Sequence, residues 1–208
     1  MLVACLDLEG VLTPEIWIQF AAATGIEELR LTTRDVPDYD QLMRRRLRIL
    51  EEHHLGLPDI QKVIAGIAPL PGALDMIDWI RERWQLLILS DTFYEFASPL
   101  MKQLNWPTLL CHSLKSDESG RVIDYLLRQK EGKRRCVEAM HLLNFQVIAV
   151  GDSYNDTAML TAADVGILFR PPQHVAVEFP QFAVTTDYEE LKAAMLRAEQ
   201  KIVNKAGN

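Results

Sequence analysis

Six short apolar runs of β-type residues punctuate this chain, and three of them run straight into carboxylates. The runs are Leu2–Leu8, Leu86–Leu89, Thr108–Cys111, Val147–Val150, Val165–Leu168 and, more weakly, Phe182–Thr185. Helical periodicity fills the gaps at about 72–83, 93–104, 133–143, 155–163 and 187–201. Strand alternating with helix predicts an α/β fold, a doubly wound, mostly parallel Rossmann-like sheet covered on both faces. One stretch breaks the alternation: residues 13–67 are helical in pattern throughout before Pro69-Leu70-Pro71-Gly72 turns the chain back. This predicts a core of residues 1–12 and 68–208 with a helical cap, 13–67, inserted after the first strand. The turn cluster Ser116-Asp117-Glu118-Ser119-Gly120 predicts a surface hairpin within 112–131.

Composition narrows the partners. A net charge of −7 repels a phosphate backbone, so nucleic-acid binding is not expected. Three cysteines at wide spacing, Cys5, Cys111 and Cys136, suit neither a disulfide framework nor a zinc site and point to a reducing cytoplasm. The opening MLVACLDLEG meets acids too early for a signal peptide, and no run of about 18 apolar residues occurs, so a soluble protein with no membrane partner is expected.

In an open parallel sheet, ligands bind beyond the carboxyl ends of the strands where the strand order reverses. Three predicted strand ends deliver Asp7-Leu8-Glu9-Gly10, Ser90-Asp91-Thr92 and Gly151-Asp152-Ser153-Tyr154-Asn155-Asp156 to that rim. Asp7 and Asp152 on one rim repel each other unless a cation lies between them, and oxygen-only ligands favour a hard ion such as Mg²⁺. An aspartate beside a metal-bound phosphate can attack phosphorus, which splits one displacement into two through an aspartyl-phosphate. Glu9, two residues on, returns to the same side and can serve as general acid and base. Ser90 and Lys133 can bind phosphoryl oxygens. Each signal alone has an ordinary alternative, a turn serine, a helix-start lysine, or a cap at Asn155 and Asp156. Their joint order is more specific.

The segments DLEGVLTPE (7–15), LLILSDTF (86–93), Lys133 and GDSYNDTAML (151–160) resemble the four ordered motifs of the haloacid dehalogenase superfamily over nearly the whole chain. The insert after the first strand is similar to the cap of its phosphoserine phosphatase group. That resemblance implies Asp7 as nucleophile and Glu9 as acid and base. It also implies Asp7, the Glu9 backbone carbonyl and Asp152 on Mg²⁺, and Ser90, Lys133 and Asn155 on the phosphoryl group. Glu15 and Arg46 occupy the positions that hold the amino acid. The segments DLEGVLTPEIW, LRILEEH, LSDTFYEF, PTLLCH and GDSYNDT are similar to members that also pass the phosphoryl group to homoserine, which implies roles in serine and threonine biosynthesis.

Arg46 stands out without the resemblance. On a wheel from Tyr39 to Leu50, Arg44, Arg45 and Arg48 share the polar side, whereas Arg46 falls amid Tyr39, Leu42, Met43, Leu47, Ile49 and Leu50. An inward arginine needs an anion, either a structural acid or a substrate carboxylate. Two positions depart from the group. Glu9 stands where Asp is usual, and Ser90-Asp91-Thr92 stands where Ser-Gly-Gly is usual, so Glu9 and Asp91 are expected to reshape the acceptor pocket. Trp17, Trp79, Trp84 and Trp106 read as packing residues, and Cys111-His112 and His53-His54 as structural. Two rival readings are a phosphatase for another small phosphomonoester, with Glu15 merely paired to Arg46, and a receiver-like phospho-accepting signalling module.

Overall fold

The computed structural model describes residues 1–32, 35, 36 and 38–206. Its seven strands are β1 (Leu2–Leu6), β2 (Gln85–Phe93), β3 (Thr108–Ser116), β4 (Val122–Leu126), β5 (Gln146–Gly151), β6 (Val165–Phe169) and β7 (Ala183–Thr185). They form one sheet in the order β4-β3-β2-β1-β5-β6-β7. Every pairing is parallel except β3 with β4. The predicted doubly wound α/β architecture is therefore present, and the predicted hairpin is the antiparallel β3–β4 pair, closed by Gly120 N–H on the Asp117 carbonyl (3.0 Å).

Between β1 and β2 lie α1 (Ile16–Thr24), α2 (Tyr39–Glu52), α3 (Leu57–Ala65) and α4 (Ala73–Arg81). After β2 come α5 (Tyr94–Gln103), α6 (Gly132–Leu142), α7 (Thr157–Ala162), α8 (Gln173–Glu178) and α9 (Tyr188–Ala206). None of the described helices is long and apolar enough to cross a membrane.

Alternation along the central strand builds two apolar layers, as the pleat requires. Ala4 and Leu6 pack with Ile88, Ile148 and Val150 on one face. Val3 and Cys5 pack with Leu89, Val147 and Ala149 on the other. The first layer continues without interruption into Ile16, Phe20, Met43 and Leu50 of α1 and α2. The stretch carrying these helices leaves the sheet after Val11 and Leu12 and returns at Leu70. Leu70 N–H bonds the Leu12 carbonyl (2.9 Å), and Tyr188 of α9 bonds the Val11 carbonyl (2.7 Å).

Several boundaries differ from those predicted, and three of them have a clear local reason. β1 stops at Leu6 and not Leu8, because Leu12 and Thr13 N–H groups both turn back onto the Leu8 carbonyl (2.8 and 2.9 Å). β2 runs on through Ser90 and Asp91 to Phe93, its register against β3 shifting between Leu89 and Phe93. The start of the helix expected at 155–163 is a tight three-residue turn, Tyr154–Asp156, before α7 takes over. Helix α8 had no clear periodic signal.

Candidate active site

The strand order reverses at β1, which has β2 on one side and β5 on the other. The crevice beyond their carboxyl ends is where such sheets bind ligands. A cavity of about 360 Å³ opens there. It is bordered by Asp7, Glu9, Glu15, Arg46, Ser90, Asp91, Lys133, Asp152 and Asn155, every site residue expected from the sequence.

At its floor Lys133, 6% exposed, donates to Asp156 Oδ1 (2.7 Å) and lies 2.9 Å from Asp7 Oδ2. Asp7 is held by the strand, its N–H on the Val150 carbonyl (2.9 Å) and its Oδ1 accepting from Leu8 N–H (2.7 Å). Asp156, which the sequence offered only as a cap, is fully buried. Its Oδ2 accepts the N–H groups of Asp152 (3.0 Å) and Ser153 (3.2 Å). Ser90, also buried, accepts Thr92 N–H on its Oγ (3.2 Å), leaving its own hydrogen for a ligand.

Oxygens of Asp7, Asp152 and Asp156 lie within 4.8 Å of one another. The Glu9 carboxylate is outside this cluster, turned to the Ile16 N–H at the start of α1 (2.8 Å). Two glycines make the cluster possible. A Cβ on Gly10, whose φ is +77°, would sit 2.4 Å from Asp152 Cγ, and one on Gly151 would sit 2.4 Å from Asp156 Cβ.

The electrostatics show a site short of positive charge. Burial and then the Asp156 charge push Asp7 well above the usual carboxylate range, against the pull of Lys133. Burial, Asp156 and Glu15 raise Asp152 to about 7. Burial alone would lower Lys133, yet Asp156, Asp7 and Asp91 outweigh it and raise the ammonium well above its ordinary value. One lysine thus serves several carboxylates, and a divalent cation on the remaining oxygens would relieve the excess. The residues fit such an ion.

The other end of the cavity belongs to α2, capped by Asp38 accepting Gln41 N–H (3.0 Å). Arg46 is 7% exposed while Arg44, Arg45 and Arg48 face solvent, as the wheel predicts. Its guanidinium lies 4.4 Å from the centre of the Trp17 ring and donates to the Leu31 carbonyl (2.8 Å). Its Nε is buried without a partner, and among the described residues no carboxylate comes within 4.0 Å of it, so Glu15 is not its ion-pair partner. Burial lowers Arg46 to about 10, with Glu9, Tyr39 and Glu15 opposing, so it remains a cation at neutral pH. Glu9 is pushed up to about 8, first by burial and then by Glu15, against the Ile16 N–H and Arg46.

The structure also brings in residues that sequence reading passed over. Trp17 is more than packing, since it is the platform under Arg46. Tyr39 lines the cavity and donates to the Asp91 carbonyl (3.1 Å). Arg170, at the end of β6, lines the rim with a left-handed φ of 49°. His112 stands 3.5 Å from Asp91. An aromatic residue on an apolar helix face gives no local signal of such roles.

A mostly parallel sheet with acids and a buried lysine at its switch point, roofed by helices, is the architecture of an α/β enzyme. Residues 1–164 match the haloacid dehalogenase-like hydrolases, and the chain belongs to that family. It is 60% identical over 201 residues to phosphoserine phosphatase ThrH of Pseudomonas aeruginosa, covering 97% of this chain and 98% of that protein. It is also 60% identical over 199 residues to a phosphoserine phosphatase of Pseudomonas syringae pv. tomato, covering 96% and 84%. A crystal structure of a phosphoserine phosphatase in apo form superposes with a TM-score of 0.75 at 20% identity, covering 92% of this chain and 97% of the other.

Proposed function

We propose that this protein is a phosphoserine phosphatase that can also pass the phosphoryl group to homoserine, by way of an aspartyl-phosphate on Asp7. The observation that carries the substrate is Arg46, a buried cation whose Nε has no partner and which lines the same cavity as Asp7, Ser90 and Lys133. The cavity has an anion reader at one end and a phosphoryl site at the other, with Glu15 available to an ammonium. O-phosphoserine has those three groups, and homoserine shares the amino and carboxyl pair on a side chain one methylene longer. High identity to a protein named for phosphoserine hydrolysis supports the same substrate.

In the first half-reaction an Asp7 oxygen bonds to phosphorus and the bond from phosphorus to the serine oxygen breaks. That oxygen leaves with the electron pair and takes the proton of Glu9, whose raised affinity keeps it protonated at neutral pH. In the second, water or the homoserine hydroxyl gives a proton to Glu9 and attacks phosphorus, releasing Asp7. Lys133 and the Ser90 hydroxyl meet the phosphoryl oxygens, with Asn155 at the rim. Mg²⁺ on Asp7, Asp152 and the Glu9 carbonyl, with Asp156 alongside, would neutralise the phosphate and draw off charge during transfer.

In this reading residues 13–67 act as a cap over a core of 1–12 and 68–208. The three free, buried cysteines suit the reducing cytoplasm where amino-acid biosynthesis proceeds. Phosphorus NMR of the protein with phosphoserine, with and without homoserine, in Mg²⁺ and again in EDTA, tests the reading. Phosphate should appear when homoserine is absent and phosphohomoserine when it is added, both lost in EDTA and in Asp7→Asn. Turnover by Asp7→Asn would overturn the mechanism, and no turnover of phosphoserine by the native protein would overturn the substrate.

A further inference from the structure

Lys133 has three ammonium hydrogens, and two are committed to Asp7 (2.9 Å) and Asp156 (2.7 Å). The third is the one available to a phosphoryl oxygen. A further carboxylate, Asp91, lies within reach, its Oδ2 3.8 Å from Lys133 Nζ. Left free, it would close on the ammonium and compete with the incoming phosphate.

What restrains it is visible in the strands. The register shift in β2 ends where Phe93 pairs with His112, which sets the irregular Ser90-Asp91-Thr92 stretch beside the His112 ring. His112 is 6% exposed and is flanked by Tyr39 and Phe93, each ring 6.4 Å away. Its Nδ1 accepts the Arg128 N–H (3.2 Å), so in the neutral ring the hydrogen sits on Nε2. Nε2 lies 3.5 Å from Asp91 Oδ1. Asn155 Nδ2 donates to Asp91 Oδ2 (3.3 Å), and the Tyr39 hydroxyl holds the Asp91 carbonyl (3.1 Å). Asp91 is thereby turned toward His112 and Asn155.

We propose that His112 is a positioning residue of the phosphoryl site, acting through Asp91 to keep one donor of Lys133 free and Asn155 in place. The inference rests on the phosphoryl-transfer reading above, though not on the identity of the phosphate ester. It accounts for an aspartate tolerated beside a phosphate, since its charge is met by His112 and Asn155 as well as by Lys133.

A second cavity, about 870 Å³ and bordered by His112, Asp91 and Lys133, adjoins the first and gives a small molecule access to the imidazole position. His112→Phe keeps the ring packing and loses the N–H. It should weaken inorganic phosphate binding, measured by calorimetry in Mg²⁺, by about tenfold, the worth of one hydrogen bond to a charged group. KM for the substrate should rise more than kcat falls. His112→Gln, which restores an N–H near the Nε2 position, should recover most of the loss. In Asp91→Asn the His112→Phe change should cost less than about twofold, because the group it restrains no longer carries charge. Added imidazole should restore phosphate binding to His112→Gly.

Native phosphate affinity in His112→Phe, or an equal loss with and without Asp91, would overturn the proposal. Phosphate binding and turnover of p-nitrophenyl phosphate do not depend on phosphoserine. Failure of the substrate reading would leave both intact, and failure of this proposal would leave phosphoserine turnover by the native protein intact.

Discussion

Asp152→Asn should make the metal-free protein more stable and the metal-loaded protein less so. Asp152 has an ordinary carboxyl value of 3.8 that burial and the neighbouring Asp156 and Glu15 raise to about 7 in the fold. A group that holds its proton more tightly when folded penalises folding once the solution removes that proton. The penalty is absent below pH ~4, builds as pH rises and is complete above pH ~7, where it reaches ~4 kcal/mol at 1.36 kcal/mol per decade. Part of the side chain meets the open cavity, and screening there brings the expected gain from Asn to ~2 kcal/mol. For a chain of this size that raises Tm by roughly 4–8 °C.

Thermal unfolding in EDTA at pH 8 and at pH 4, repeated in excess Mg²⁺, reads all of this. In EDTA the variant should unfold at higher temperature at pH 8 and match the native protein at pH 4. In Mg²⁺ the order should invert, because binding to the folded state alone stabilises it by mass action and the variant has lost a ligand. A variant no more stable than the native protein in EDTA at pH 8, or one with the same advantage at pH 4, would refute the electrostatic reasoning.

Arg46→Met, which keeps the contact with Trp17, should raise KM for phosphoserine about 100-fold, the value of a charge-assisted pair, with little effect on p-nitrophenyl phosphate turnover. Phosphoenzyme formation should decline as pH rises through about 8, where Glu9 loses the proton it must donate; Glu9→Gln should be slow at every pH and lack that limb in rapid-quench measurements. Gly10→Ala forces a left-handed φ and a 2.4 Å contact on Asp152, so kcat/KM should fall at least 100-fold while the circular dichroism spectrum is retained. Glu9→Asp combined with Asp91→Gly should shift the division of phosphate between water and homoserine, read by phosphorus NMR, and an unchanged ratio would exclude these two residues from acceptor choice.

The parts of the fold legible in the sequence were those set by local period. The apolar runs of β1, β2, β3, β5 and β6 and the wheel of α2 carry enough side chains of one kind to be read alone, and the wheel singled out Arg46 because three neighbouring arginines supplied the contrast. Strand ends were less legible. Ser90-Asp91-Thr92 has the polarity of a loop, yet β2 continues through it because its register slips and recovers at Phe93. Helix α8, six residues flanked by prolines, is too short for a period to show. Within the site, the acids at the strand ends were readable because an acid after a buried strand is conspicuous. Tyr39 and His112 were not, since their partner Asp91 is 52 and 21 residues away and only the folded chain brings them to it.

The bond from Leu70 to the Leu12 carbonyl has a consequence for how this molecule can vary. As far as the sheet is concerned, the intervening stretch is one loop whose two ends already touch. The entropy of closing such a loop grows only logarithmically, by about 0.6 kcal/mol for each doubling of its length. A shorter, longer or unrelated segment spliced between those two leucines leaves the carboxylates and lysine at the strand ends where they are. Arg46 and Trp17 lie inside the exchangeable stretch; Asp7, Lys133 and Asp152 lie outside it. On the proposed function, descent and engineering can therefore replace what recognises the substrate while inheriting intact what breaks its bond.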